Sequence, residues 1–204
     1  LAVVIVPFIA VSALWWSGVI TFAIFGVFVG LTGAATVGPK VGIGFTLLFA
    51  VFGTAAVAVS SSPILAGLLV AAAAFGIAFC SVYGLTGAML VVAMFVPYLI
   101  HQPPTPASGV RGAIYFASVA GVLLVAGLWG CLLGWFVTRH KSPTLPPRFR
   151  MRDAVLGGSL VAVVAGVITF VAVSRLDSTE WVWLLLTLFV LTEPAPDLNW
   201  PMTK

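Results

Sequence analysis

Charge is what this chain lacks. It carries no Lys, Arg, Asp, Glu or His before Lys40 and none between Lys40 and His101, and a water-soluble fold does not leave such lengths free of charge. Acids are scarcer than bases, five Asp and Glu against nine Lys and Arg. No acid falls inside a long apolar run, which argues against a buried proton relay. Cysteines number two, Cys80 and Cys131. Both fall in or beside apolar runs, so packing as small hydrophobes is expected of them, not a disulfide or a metal site. The sequence also lacks a Gly-rich phosphate loop with Lys and Ser or Thr, a His-Glu-Xaa-Xaa-His pair, and a Ser-His-Asp set with acids at usable depth. An enzyme, an ATP-driven pump within this chain, and a bound cofactor are therefore not expected.

What is present is apolar. With 62% hydrophobic and 7% charged residues and a mean hydropathy of +1.23, the chain reads as an all-α, polytopic transmembrane helix bundle. A hydrocarbon core about 30 Å thick needs about 20 apolar residues per helix. Turn-formers at Gly38-Pro39, Ser60-Ser61-Ser62-Pro63 and Pro103-Pro104-Thr105-Pro106 divide the runs. These runs are Leu1 to Leu14, Trp16 to Leu31, Val41 to Val59, Ile64 to Phe79, Leu85 to Ile100, Ala113 to Val137, Ala154 to Val173 and Trp181 to Thr192, which predicts eight spans, several of them short. The chain opens at Leu1 without a Met, already inside an apolar run, so its natural N-terminus is expected upstream.

Lys and Arg orient such spans, because short basic loops stay on the cytoplasmic side. If the segment Arg139 to Arg152 is cytoplasmic, alternating crossings put Lys40 and Lys204 inside too, seven basic residues in all, and leave Arg111 and Arg175, two, outside. The net charge of +4 is thus a topology signal and an attraction to anionic lipid headgroups, with no nucleic-acid footprint in it. Trp15, Trp16, Trp129, Trp135, Trp181, Trp183 and Trp200 lie mostly near predicted span ends, where amphipathic rings meet headgroups.

Two stretches share a layout. A full-length run from Ala154 to Val173 is followed by a Trp-led short run that ends in Leu191-Thr192-Glu193 and a Pro-rich turn. Leu1 to Leu14, then Trp16 to Leu31 ending in Leu31-Thr32-Gly33, looks similar, which suggests a parallel internal repeat about six spans long. In each copy the second helix is expected to be too short to cross: from Trp181 to Thr192 it rises only about 18 Å. A helix that ends early leaves polar backbone at membrane depth, tolerable where protein or a water-filled cavity surrounds it. Paired short segments of this kind point to a transport pathway; a tilted span or a locally thinned bilayer is the alternative.

The segment Arg148-Phe149-Arg150-Met151-Arg152-Asp153-Ala154, the apolar run after it, and Trp181 to Pro194 resemble the start of the fusaric acid resistance (FUSC-like) family, the aromatic acid exporters. In that family a short helix of the form W-x-x-L-T closes at a proline. The match here is Trp183-Leu184-Leu185-Leu186-Thr187, one residue longer, with Pro194 as the closing proline. The first 138 residues are similar to the family's Gly- and Ala-rich membrane half, including Gly127-Leu128-Trp129 before a basic exit. The resemblance implies a first six-span half at 1–138, a basic cytoplasmic linker at 139–152, and the start of an incomplete second half at 153–204. Family members continue into four more spans, so a longer protein or a second chain is expected to complete that half. What it implies in function is an exporter of small aromatic or amphipathic organic anions in the bacterial inner membrane, related in fold to plant malate-type anion channels. Its expected partners are membrane lipids, the anion itself, and a second copy or another membrane subunit.

An anion path needs an apolar lining with a few positive or hydrogen-bonding groups. Arg111 and Arg175 stand at the predicted outer mouth, and Lys40 with Arg148, Arg150 and Arg152 at the inner one. Each has an ordinary reading beside this. Arg111 can be a snorkelling anchor, Arg175 can pair locally with Asp177 or Glu180, and the cluster from Arg139 to Arg152 can serve topology and lipid contact. Glu193, beside Pro194, could carry a coupling proton or could be a solvated helix end. Thr32, Thr187 and Thr192 could line a path, or bond their own preceding carbonyls. His101 could sense protons or lie on a loop surface. Gly26-Xaa-Xaa-Xaa-Gly30 and Gly130-Xaa-Xaa-Xaa-Gly134 permit close helix contact. The rival to transport is a scaffold or lipid-handling subunit of a cell-envelope complex that uses small-residue helices as docking faces.

Overall fold

The computed structural model describes residues 19–104, 112–139, 150–175 and 180–191. Within them are α1 (Val19–Val37), α2 (Pro39–Val59), α3 (Pro63–Ser81), α4 (Thr86–His101), α5 (Ala113–Thr138), α6 (Met151–Arg175) and α7 (Glu180–Leu191), with no strand among the described residues. Five of these helices, α1, α2, α3, α5 and α6, are long and apolar enough to cross a hydrocarbon core. α4 has 16 residues and α7 has 12. The run from Leu1 to Leu14 lies outside the described residues.

Helix is what such a sequence must form in lipid, where backbone N–H and C=O groups find no water and bond within their own segment. The interruptions fall where the chain can reverse. Pro39 and Pro63 start α2 and α3 at positions whose N–H would be orphaned anyway. Gly38, at φ 109°, adopts a backbone conformation open to glycine and little else.

One expectation is corrected. The helix expected from Trp16 to Leu31 continues to Val37, and the described part alone is 19 residues, about 28 Å of rise. Leu31-Thr32-Gly33 looks like an ending because Thr and Gly form helices poorly in water. Here the Thr32 hydroxyl donates to the Phe28 carbonyl at 2.6 Å and the Thr36 hydroxyl to the Thr32 carbonyl at 2.7 Å, so both polar groups are absorbed by the helix itself. α1 and α7 are therefore not a matched pair of truncated helices. α4 packs against both.

Small residues set the pairings. α1 and α5 run parallel and cross where an added Cβ on Gly30 would collide with the Gly127 carbonyl and one on Gly130 with the Val27 carbonyl. Gly26 faces Ala126 and Gly134 faces Leu31, so both glycine-spaced motifs lie in this single interface. α3 and α6 run antiparallel, Gly67 against Gly166 and Gly158 against Ala78. α1 and α2 close as a hairpin, with Gly42 on Ala34.

α4 occupies the centre, packed by α1, α2, α3 and α7. Val92, Ala93, Val96 and Leu99 are wholly buried along it. Phe95 stacks on Phe25 of α1 at 4.2 Å between ring centroids and lies 6.0 Å from Phe49 of α2. α7 covers another side with Trp181, Val182, Leu185 and Phe189.

Gly30→Ala is expected to destabilise the purified protein by about 2 kcal/mol or more, the cost of forcing a methyl against backbone. Gly44→Ala, whose Cβ meets nothing within 4 Å, is expected to stay within about 0.5 kcal/mol of the parent. Thermal unfolding in detergent compares the two, and equal losses would contradict the α1–α5 crossing.

Candidate functional site at the basic end of the bundle

The pairings fix which helix ends share a level. Tyr115 at the start of α5 donates its hydroxyl to the Pro104 carbonyl just after α4, and the His101 ring meets the Trp181 ring edge to face at 5.7 Å. The end of α4 and the starts of α5 and α7 thus lie together. By the same reasoning Lys40, Arg139, Arg150 and Arg152 gather at the opposite end, with Val37, Ser81 and Thr86, while Arg175 is at the His101 end. Four described cations against one separate the two ends. No Lys, Arg, Asp or Glu interrupts α1, α3, α4 or α5, and those of α2, α6 and α7 stand within three residues of a helix end.

The expected path residues do not converge. Lys40 is exposed on the first turn of α2, and Arg175 is exposed at the far end of α6. The Thr32 hydroxyl also reaches the Val29 carbonyl at 3.2 Å, and the Thr187 hydroxyl donates to the Trp183 carbonyl at 2.9 Å, so both follow the back-bonded reading. Arg150 and Arg152 are exposed at the start of α6. Arg111, Arg148, Thr192, Glu193 and Pro194 lie outside the described residues. His101 is half-buried, not a free loop imidazole, because α7 folds over the end of α4.

The interior holds a few polar atoms that sequence reasoning missed. The Thr46 hydroxyl and the Cys131 thiol lie 3.4 Å apart between α2 and α5, beside Gly127. Thr54 Oγ1 and Trp129 Nε1 are buried without a hydrogen-bond partner. Lone Thr, Cys and Trp in apolar runs give no sequence signal of this kind, since only the helix crossing brings them inside. Among the described residues no three His, Cys, Asp or Glu side chains gather as metal ligands would.

No family model matches the chain, and no curated protein and no solved structure matches it either.

The charge separation gives the bundle a direction. In a background with Cys80→Ala and Cys131→Ala, Lys40→Cys is expected to react with an impermeant maleimide only from the cytoplasmic side and Gln102→Cys only from the other. Both residues are exposed. Labelling of both from one side would overturn the assignment of helix ends.

Proposed function

We propose that this chain is the membrane-embedded bundle of an exporter of small organic anions, aromatic or amphipathic, in a bacterial inner membrane. In this reading about eight spans make one half and the beginning of a second. The observation that carries it is the separation of charge, with Lys40, Arg139, Arg150 and Arg152 at one end and Arg175 at the other. A basic rim around an apolar bundle raises the local concentration of anions on that side. The resemblance of Arg148 to Pro194 to the aromatic acid exporters supports the reading as well. α6 and α7 follow the expected order there, a basic start at Arg150 and Arg152, a long helix, then a short helix headed by Trp181.

A second reading draws on the filled centre. Val92, Ala93, Val96 and Leu99 of α4 have no exposed surface themselves, while Leu156, Leu160, Val163 and Val167 of α6 are exposed. A dry core with broad apolar flanks also suits a scaffold or lipid-handling subunit that docks other membrane proteins. Under the export reading the filled centre is a closed state.

Flux separates the two. Cells expressing the gene are expected to extrude labelled benzoate or 4-hydroxybenzoate faster than cells lacking it. Arg111→Ala and Glu193→Gln are each expected to slow extrusion by about threefold or more, the effect of one lost charge-assisted contact. Identical fluxes in all four strains would leave the scaffold reading standing.

A further inference from the structure

α4 is central but not closed on every side. Its half-buried residues recur at helical spacing, Val91, Met94, Phe95, Tyr98 and His101, so they share one stripe. The stripe lies between α1 and α7. Phe25 of α1 stacks on Phe95 and meets the Tyr98 ring edge to face at 5.1 Å between centroids, Phe28 approaches Phe95 at 6.5 Å, and Trp181 of α7 meets His101. α1 and α7 both pack on α4, and among the described residues they form no substantial interface with each other. The stripe is therefore the floor of a furrow.

The furrow changes character along its length. Phe25, Phe28, Phe95 and Tyr98 make an aromatic wall on the α1 side, and Phe28 is 51% exposed. At the end of α4 the rings give way to polar tips. The Tyr98 hydroxyl and the His101 ring nitrogens make no hydrogen bond among the described residues, and unlike Trp129 Nε1 they are not enclosed. Gln102 is exposed beside them. Residues three and four apart on a helix are neighbours, about 5–6 Å between Cβ atoms, so a phenol O–H, an imidazole N–H and an amide NH2 stand within one turn. The described charged side chains at this end are Arg175 and Glu180, both exposed and of opposite sign.

We propose that this end of the furrow binds an aromatic carboxylate, its ring against Phe25, Phe95 and Tyr98 and its carboxylate accepting from Tyr98, His101 and Gln102. Aromatic rings pair by edge and face, and an ionised carboxylate only accepts, with room for several donors. The donors stand at the end of the helix and the rings one to two turns inside it. That is the order in which an amphipathic acid lies at a membrane boundary, charge outward and ring inward. The inference rests on the export reading in taking the exported acid as the occupant. The site then stands at the end opposite Lys40, beyond the packed length of α4, where the acid is discharged.

The test uses the whole purified chain in nanodiscs of neutral phosphatidylcholine. Benzoate is the probe, benzyl alcohol its uncharged match and cyclohexanecarboxylate its non-aromatic match. Benzoate is expected to raise the unfolding temperature, benzyl alcohol to leave it unchanged, and cyclohexanecarboxylate to bind about threefold more weakly than benzoate or worse. Tyr98→Phe keeps the ring on Phe25 and His101→Phe keeps a ring on Trp181, so both are expected to fold as the parent does, yet each to weaken benzoate by about threefold to tenfold. Phe95→Leu is expected to narrow the preference for benzoate over cyclohexanecarboxylate, which a merely structural role would not do. No benzoate effect in the parent, or equal affinity in the parent and the Tyr98→Phe, His101→Phe double variant, would overturn the site. Benzoate flux in proteoliposomes separates the two claims. Binding that the double variant abolishes, without flux in the parent, sinks export and keeps the site; flux and binding both unaltered by the double variant keep export and sink the site.

Discussion

Burial of most of α4 among its neighbours is the constraint around which the bundle is arranged. Lipid gives apolar helices no hydrophobic reason to prefer one another, so association depends on how closely they fit. α4 answers with Val92, Ala93 and Val96 against its neighbours and with the Phe25, Phe49 and Phe95 rings filling the space toward α1 and α2. The glycine crossings serve the same end. Where Gly30 meets Gly127 and Gly67 meets Gly166, backbones approach to contact, and the outer helix pairs are drawn tightly around the centre. Pro97, which cannot donate a backbone bond, is buried within α4; the surrounding helices hold a segment that would be weak alone.

Much of this was legible in the sequence. The absence of charge before Lys40 and from there to His101 dictates lipid as solvent, and the positions of Gly38-Pro39 and Ser62-Pro63 locate two reversals to the residue. The two glycine-spaced motifs were visible too, but not that they face each other, because spacing along a helix does not name its partner. The end of α1 was misread at Leu31. Thr32, Gly33 and Thr36 carry turn propensities measured against water, and in an apolar setting their hydroxyls return to the helix ladder. Periodicity likewise could not reveal α4 as the central helix. A run hydrophobic on every face reads the same whether lipid or protein surrounds it.

The candidate site was legible as charge but not as geometry. Counting Lys and Arg along the chain marks one side of the membrane, and the described cations gather at one end of the bundle. The polar atoms enclosed between the helices gave no such sign, since Thr46, Thr54, Trp129 and Cys131 stand alone in apolar runs. The export reading and the filled centre fit together in one way: the solute is met at the basic end, and the packed length of α4 is the barrier that has to open. The scaffold reading takes the same packing as permanent.

The claim that the core is closed and dry is tested most directly by thiol chemistry at its middle. Val92 has no exposed surface, and a thiol reacts with a water-soluble maleimide only as the hydrated thiolate. In a chain without its native cysteines, Val92→Cys in resting membranes is predicted to stay unlabelled from both sides while Ser61→Cys, on an exposed turn, labels fully. Rapid labelling at position 92 would show water along α4 and contradict the account.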